Sequence, residues 1–151
     1  MTDAYNRGLD RNDANFTPLT PLSLLQRSAA VFPDKLAVVH GPVRHDYATF
    51  YARSRQLASA IEQAGVRAGQ TVAALLLNTP PMLEAHYGVP MMGGVLNALN
   101  TRLDAAGIAF ILDHGEAQLV IVDSELAPLL SEALDLMETA RPKVVEYTDP
   151  T

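Results

Sequence analysis

Thr71-Val-Ala-Ala-Leu-Leu-Leu77, then Asn78-Thr-Pro-Pro-Met-Leu-Glu-Ala-His-Tyr-Gly-Val-Pro90, then Met91-Met-Gly-Gly-Val-Leu-Asn-Ala-Leu99 follow one another without a break, and their reading decides the fold. Val72 to Leu77 is the longest apolar run in the chain. It has a strand's length and no polar alternation, the pattern of a strand buried on both faces. Thr79-Pro80-Pro81 predicts a helix start, because proline is pre-set for the first helical position and has no amide hydrogen to leave unbonded. Met82, Ala85, His86 and Val89 recur at helical spacing along one side. Pro90 ends or kinks this helix, Gly93-Gly94 leads out of it, and Val95 to Leu99 predicts a second strand. A strand, a helix and a second strand form a crossover unit, so the two strands are expected to run parallel.

The same alternation continues on both sides. Downstream, Thr101 is placed to cap a third helix with Asp104 in its first turn, Phe110 and Ile111 inside and Gly115 after it. Leu119 to Val122 predicts a third strand. Ser124 precedes a long amphipathic helix, expected near 125–140, whose stripe is Leu126, Leu129, Leu130, Ala133, Leu134 and Met137. Arg141-Pro142 stops it and Lys143 to Tyr147 predicts a fourth strand. Upstream, Thr20 caps a helix with Pro21 at its first position, and Phe32-Pro33-Asp34 closes it. Leu36 to His40, the Gly41-Pro42 turn and Val43 to Tyr47 predict a β-hairpin. A helix from about Ala48 to Ala64 follows, with Phe50, Leu57, Ile61 and Ala64 on one face, Arg53 directed elsewhere and Gly65 at its end. The expected fold is α/β: a mainly parallel sheet with helices on both faces, plus an N-terminal β-hairpin. Residues 1–19 are read as a loose N-terminal arm, and 20–151 as one structural unit, since no Ser/Gly-rich linker divides them.

Composition narrows the partners. Eleven basic residues against seventeen acidic ones leave a net charge of -6, with no basic cluster for nucleic acid or an anionic membrane. The apolar runs are far shorter than the roughly 20 residues of a membrane span, so no transmembrane segment is expected. The first fifteen residues mix both charges and resemble no targeting peptide. Cysteine is absent, which removes disulfides, thiol nucleophiles and thiolate metal sites and fits a cytoplasmic protein.

A search for chemistry finds no site. Gly93-Gly94 is the one double glycine, without the spacing of a phosphate loop, and reads as close packing between a helix and a strand. His40, His45, His86 and His114 have no metal-ligand spacing. His86, beside Met82 and Val89, reads as a core or boundary residue, and His114 as a cation at a helix C-terminus. Glu84, Asp104, Asp113 and Glu116 are candidate acids, but Glu84 and Asp104 are placed in first turns where the helix dipole accounts for them. The serines lack a nucleophile-elbow context. Candidate catalytic, cofactor-binding and metal residues are therefore none.

Three stretches nevertheless carry a family resemblance. They are Thr17 to Ala29 with Phe32-Pro33-Asp34-Lys35; Asn78 to Asp104; and Ala109-Phe-Ile-Leu-Asp-His-Gly-Glu-Ala117 leading to Val120-Ile-Val-Asp123. Together they resemble the N-terminal part of acyl-CoA synthetases, in the adenylate-forming, AMP-binding superfamily that also holds firefly luciferase and peptide-synthetase adenylation domains. Leu96-Asn-Ala-Leu-Asn-Thr-Arg-Leu103 is similar to an acyl-activating subgroup that includes medium-chain fatty acyl-CoA ligases. His45-Asp-Tyr-Ala-Thr-Phe50 stands where the family has Leu-Thr-Tyr-x-Glu-Leu; Tyr47 is kept, and Thr49 and Phe50 depart from the pattern.

The resemblance implies that 20–151 is a truncated part of a large AMP-binding domain, within an incomplete N-terminal segment of the adenylate-forming fold. It implies an acid–thiol ligase as the full-length parent: carboxylic acid, ATP and CoA give acyl-CoA, AMP and pyrophosphate through an acyl-adenylate. Fatty or related small acids are its expected substrates, with Mg as cofactor and a homodimer as its assembly. The family's phosphate loop, its Tyr-Gly-x-Thr-Glu segment, its Gly-Asp pair and its C-terminal lysine are missing here, and Tyr87-Gly88-Val89-Pro90 is only an echo of the second. The chain alone is expected to be inactive, with no ATP, Mg or CoA bound. A free-standing α/β interaction module without catalysis, or the start of a peptide-synthetase-type adenylation domain, are the alternatives.

Overall fold

A computed structural model describes residues 8 and 10–150 of the chain. Of the expected arm, residues 1–7 and 9 lie outside the described residues. The part that is described carries a turn at 13–15, in which Asn12 Oδ1 accepts the amide of Ala14 and Asn15 Oδ1 accepts that of Asn12.

The elements in order are α1 (Pro21–Val31), β1 (Leu36–His40), β2 (Val43–Asp46), α2 (Tyr47–Gln63), β3 (Thr71–Leu75), α3 (Pro80–Met91), β4 (Val95–Ala98), α4 (Ala105–His114), β5 (Ala117–Asp123), a single 3-10 turn (Ser124–Leu126), α5 (Ala127–Leu136) and β6 (Lys143–Tyr147). β1 and β2 pair antiparallel as the expected hairpin. The other four strands form one wholly parallel sheet in the order β4-β3-β5-β6.

Strand alternation divides the core into two layers. Ala73, Leu75, Val120 and Val122 point to one face, where Ile108 and Leu112 of α4 and Leu130 and Ala133 of α5 cover them. Val72, Ala74, Leu119 and Ile121 point to the other, under Ile61 of α2 and Ala85 and Val89 of α3. β3 is closed on both sides, which is why its sequence shows no polar alternation. A third, smaller cluster of Leu25, Val38 and Phe50 ties α1 and the hairpin to α2; there Phe50 meets Tyr87 edge-on at 5.2 Å.

Caps explain most boundaries. Thr20 accepts the amide of Ser23, whose hydroxyl accepts the amide of Thr20 in return, a reciprocal capping box with Pro21 behind it. Asp46 caps α2 through Thr49, and Gly65 follows that helix in the left-handed region with φ of 94°.

Several expectations are corrected. Asp104, not Thr101, caps α4 by accepting the Gly107 amide, because it stands directly before the first helical residue. Gly115 keeps a right-handed backbone and Glu116 takes the left-handed position at φ of 49°. Phe110 lies on the outer side of α4. The last helix is shorter than expected: Asp123 caps the 3-10 turn and α5 then ends at Leu136. Pro90 lies within α3, one residue before its end, so the helix stops directly after it.

Candidate functional site

In a parallel sheet of order β4-β3-β5-β6, the chain leaves β3 towards one edge and β5 towards the other. A crevice opens outside the carboxyl ends of strands at such a reversal, and open α/β sheets bind ligands there. Asn78 and Thr79 emerge from β3 at this edge, Asp123 ends β5, and Tyr147 to Pro150 leave β6. The hairpin and the first turn of α3 wall it in.

Two cavities occupy the edge. One, of about 350 Å³, lies between Val38 and Val39 of the hairpin and Asn78, Thr79, Met82 and Leu83 at the start of α3. The other, of about 280 Å³, is lined by His45, Arg53, Pro81 and Tyr147. His40 and Pro80 border both.

The polar groups around them are interlocked. Arg53 donates twice to Glu84, from Nε to Oε1 at 2.5 Å and from Nη2 to Oε2 at 3.3 Å. The Glu84 side chain is only 7% exposed while that of Arg53 is 42% exposed. The Glu84 hydrogen bond holds the guanidinium above its ordinary range, so Arg53 stays charged. His40 Nε2 meets Asp149 Oδ2 at 2.7 Å and ties the segment after β6 to the hairpin. Burial pushes the Tyr147 phenol up, reinforced by Asp149, Asp123 and Glu84 and partly offset by Arg53. Asp123 is 1% exposed. Its Oδ1 accepts the Glu125 amide, and its Oδ2 has no hydrogen-bond partner among the described residues.

This edge is no phosphate cradle. Pro80 and Pro81 remove two of the four free amides that a helix N-terminus offers, and Thr79 makes no side-chain cap. At Gly94 a Cβ would meet Met92 Sδ at 2.7 Å and Val89 Cγ1 at 3.1 Å, so the double glycine is a packing feature, as its sequence context suggests. Among the described residues no group of three His, Asp or Glu is placed to hold a metal ion. Among the described residues the edge thus offers no metal-ligand cluster and no run of free helix amides.

The residues singled out from sequence separate. His40, His45, His86 and Glu84 come together at the edge. Glu84 is the fifth residue of α3, outside the first turn, and its burial has nothing to do with the helix dipole. His86 is exposed at the rim of the first cavity and not in the core; its Nδ1 lies 2.8 Å from the Met82 carbonyl. His114 stacks on Phe110 elsewhere. Asp113 braces the end of α5 by accepting the amides of Glu138 and Thr139. Arg53 was missed as a functional partner because nothing in a single sequence links position 53 to position 84.

Comparison with known proteins gives the frame its family. The family model described as AMP-binding enzyme matches residues 25–151. The peroxisomal acetate/butyrate–CoA ligase of Arabidopsis thaliana is 44% identical over 130 residues, covering 86% of this chain and 23% of the relative. An acetate–CoA ligase of Humulus lupulus is 44% identical over 129 residues, covering 85% and 23%. Among solved structures, a fatty acyl CoA synthetase of Mycobacterium tuberculosis superposes with a TM-score of 0.75 at 28% identity, covering 83% of this chain and 26% of the other. A benzoate CoA ligase of Burkholderia xenovorans superposes with a TM-score of 0.77 at 25% identity, covering 83% and 25%. The chain thus spans about a quarter of the length of the relatives it matches. Both the match across 25–151 and the shared fold make this chain a member of the AMP-binding enzyme family.

Proposed function

We propose that residues 20–151 are the N-terminal part of the large AMP-binding domain of an ATP-dependent acyl-CoA ligase for small carboxylic acids. The observation that carries this reading is the 44% identity, held over 130 residues, to a ligase for acetate and butyrate. In the whole enzyme a carboxylate oxygen attacks the α-phosphate of ATP and pyrophosphate leaves. The CoA sulfur then attacks the acyl carbon and AMP leaves. Magnesium, when bound, offsets the charge that develops on the phosphates; its ligands, and those of ATP and CoA, belong to other parts of the enzyme. The contribution of this chain is a rigid wall: a sheet edge whose polar groups are fixed to one another by Arg53–Glu84 and His40–Asp149.

The test is acid-dependent pyrophosphate release. The full-length ligase is expected to respond to acetate and butyrate with CoA present and to lose rate with longer acids, while the 151-residue chain releases none. Release by the 151-residue chain alone overturns the reading, as does a full-length protein that adenylates amino acids and not fatty acids. The enzyme is further proposed to be cytoplasmic and homodimeric; cell fractionation and sedimentation of the full-length protein decide these two points. The Arabidopsis relative is a peroxisomal protein, so peroxisomal recovery in fractionation is the outcome that would refute the first.

A further inference from the structure

We draw no further inference here: the strongest candidate, the cavity that His45, Arg53 and Tyr147 line at the carboxyl edge of the sheet, belongs to the site already described, its guanidinium is already taken by Glu84, and nothing in the structure shows what covers it.

Discussion

Removing the Arg53 guanidinium would strand the Glu84 carboxylate in a buried site with no compensating charge. Breaking a fully buried pair costs about 3–5 kcal/mol, and because Arg53 is itself 42% exposed the expected cost of Arg53→Ala is nearer to about 2 kcal/mol. Replacing both partners by apolar residues, Arg53→Met with Glu84→Leu, should cost less than Arg53→Ala alone, since no charge is then left unpaired. Urea unfolding of the three proteins measures this; a double variant weaker than the single one sinks it. At Tyr147 the phenol is raised above its ordinary value of 10.0. The folded chain therefore keeps a proton that the unfolded chain has already lost. Its contribution to stability is full below about pH 10 and disappears as pH rises through the higher folded value. Tyr147→Phe should remove the part of the alkaline stability loss that this phenol causes. An identical alkaline limb in both proteins would show that Tyr147 titrates as in the unfolded chain.

Between elements, α2 and α3 approach closely at Gly88. A Cβ built on Gly88 would stand 2.9 Å from the Ser54 carbonyl oxygen and 3.0 Å from Leu57 Cδ2. Alanine favours a helix over glycine by about 1 kcal/mol, but a backbone carbonyl cannot step aside as a side chain can, and overpacking costs about 1–3 kcal/mol. Gly88→Ala is therefore expected to lower the unfolding midpoint, and a raised midpoint would mean that the two helices separate easily. The positions of helices and strands were readable because the punctuation is chemical: Thr20-Pro21, Gly41-Pro42, Thr79-Pro80 and Arg141-Pro142 each restrict the backbone on their own. The orientation of α3 was not readable. That helix is apolar nearly all round, so spacing does not say which side is buried, and His86 and Glu84 exchange the places that periodicity suggested. Phe110 escaped for a related reason: Ile108, Ala109 and Leu112 already fill the inner face of α4, and hydrophobicity alone does not mark a residue as surplus. The Arg53–Glu84 bridge depends on how two helices dock, which local sequence does not encode.

At the scale of the molecule, β6 is an edge strand whose Val144 and Val145 are 45% and 48% exposed, one towards each face of the sheet. On the α2 side, Val145 joins Leu57, Ala60, Ile61, Leu119 and Ile121 around a small apolar hollow. An unpaired edge with apolar residues on both faces is a template for another strand. The 151-residue chain is expected to self-associate, and Val145→Lys to suppress this by placing a charge at the edge. Light scattering decides: a monodisperse monomer that also fails to bind a hydrophobic dye would count against an exposed edge of this kind.

The strand order also bears on how the chain is made. β3 is central in the sheet yet is the first of its strands to leave the ribosome, and β5, its long-register partner, begins at Ala117. Synthesis at about 5–20 residues per second leaves the finished β3 waiting roughly 2–8 s for that partner. During the wait Val72-Ala-Ala-Leu-Leu-Leu77 has β4 alone to pair with; α4 is completed only at the end of it, and the α5 cover for the same face does not yet exist. The segment that ends as the most protected in the protein thus begins as the most exposed, and nascent chains stalled before Ala117 should be the ones that recruit chaperones.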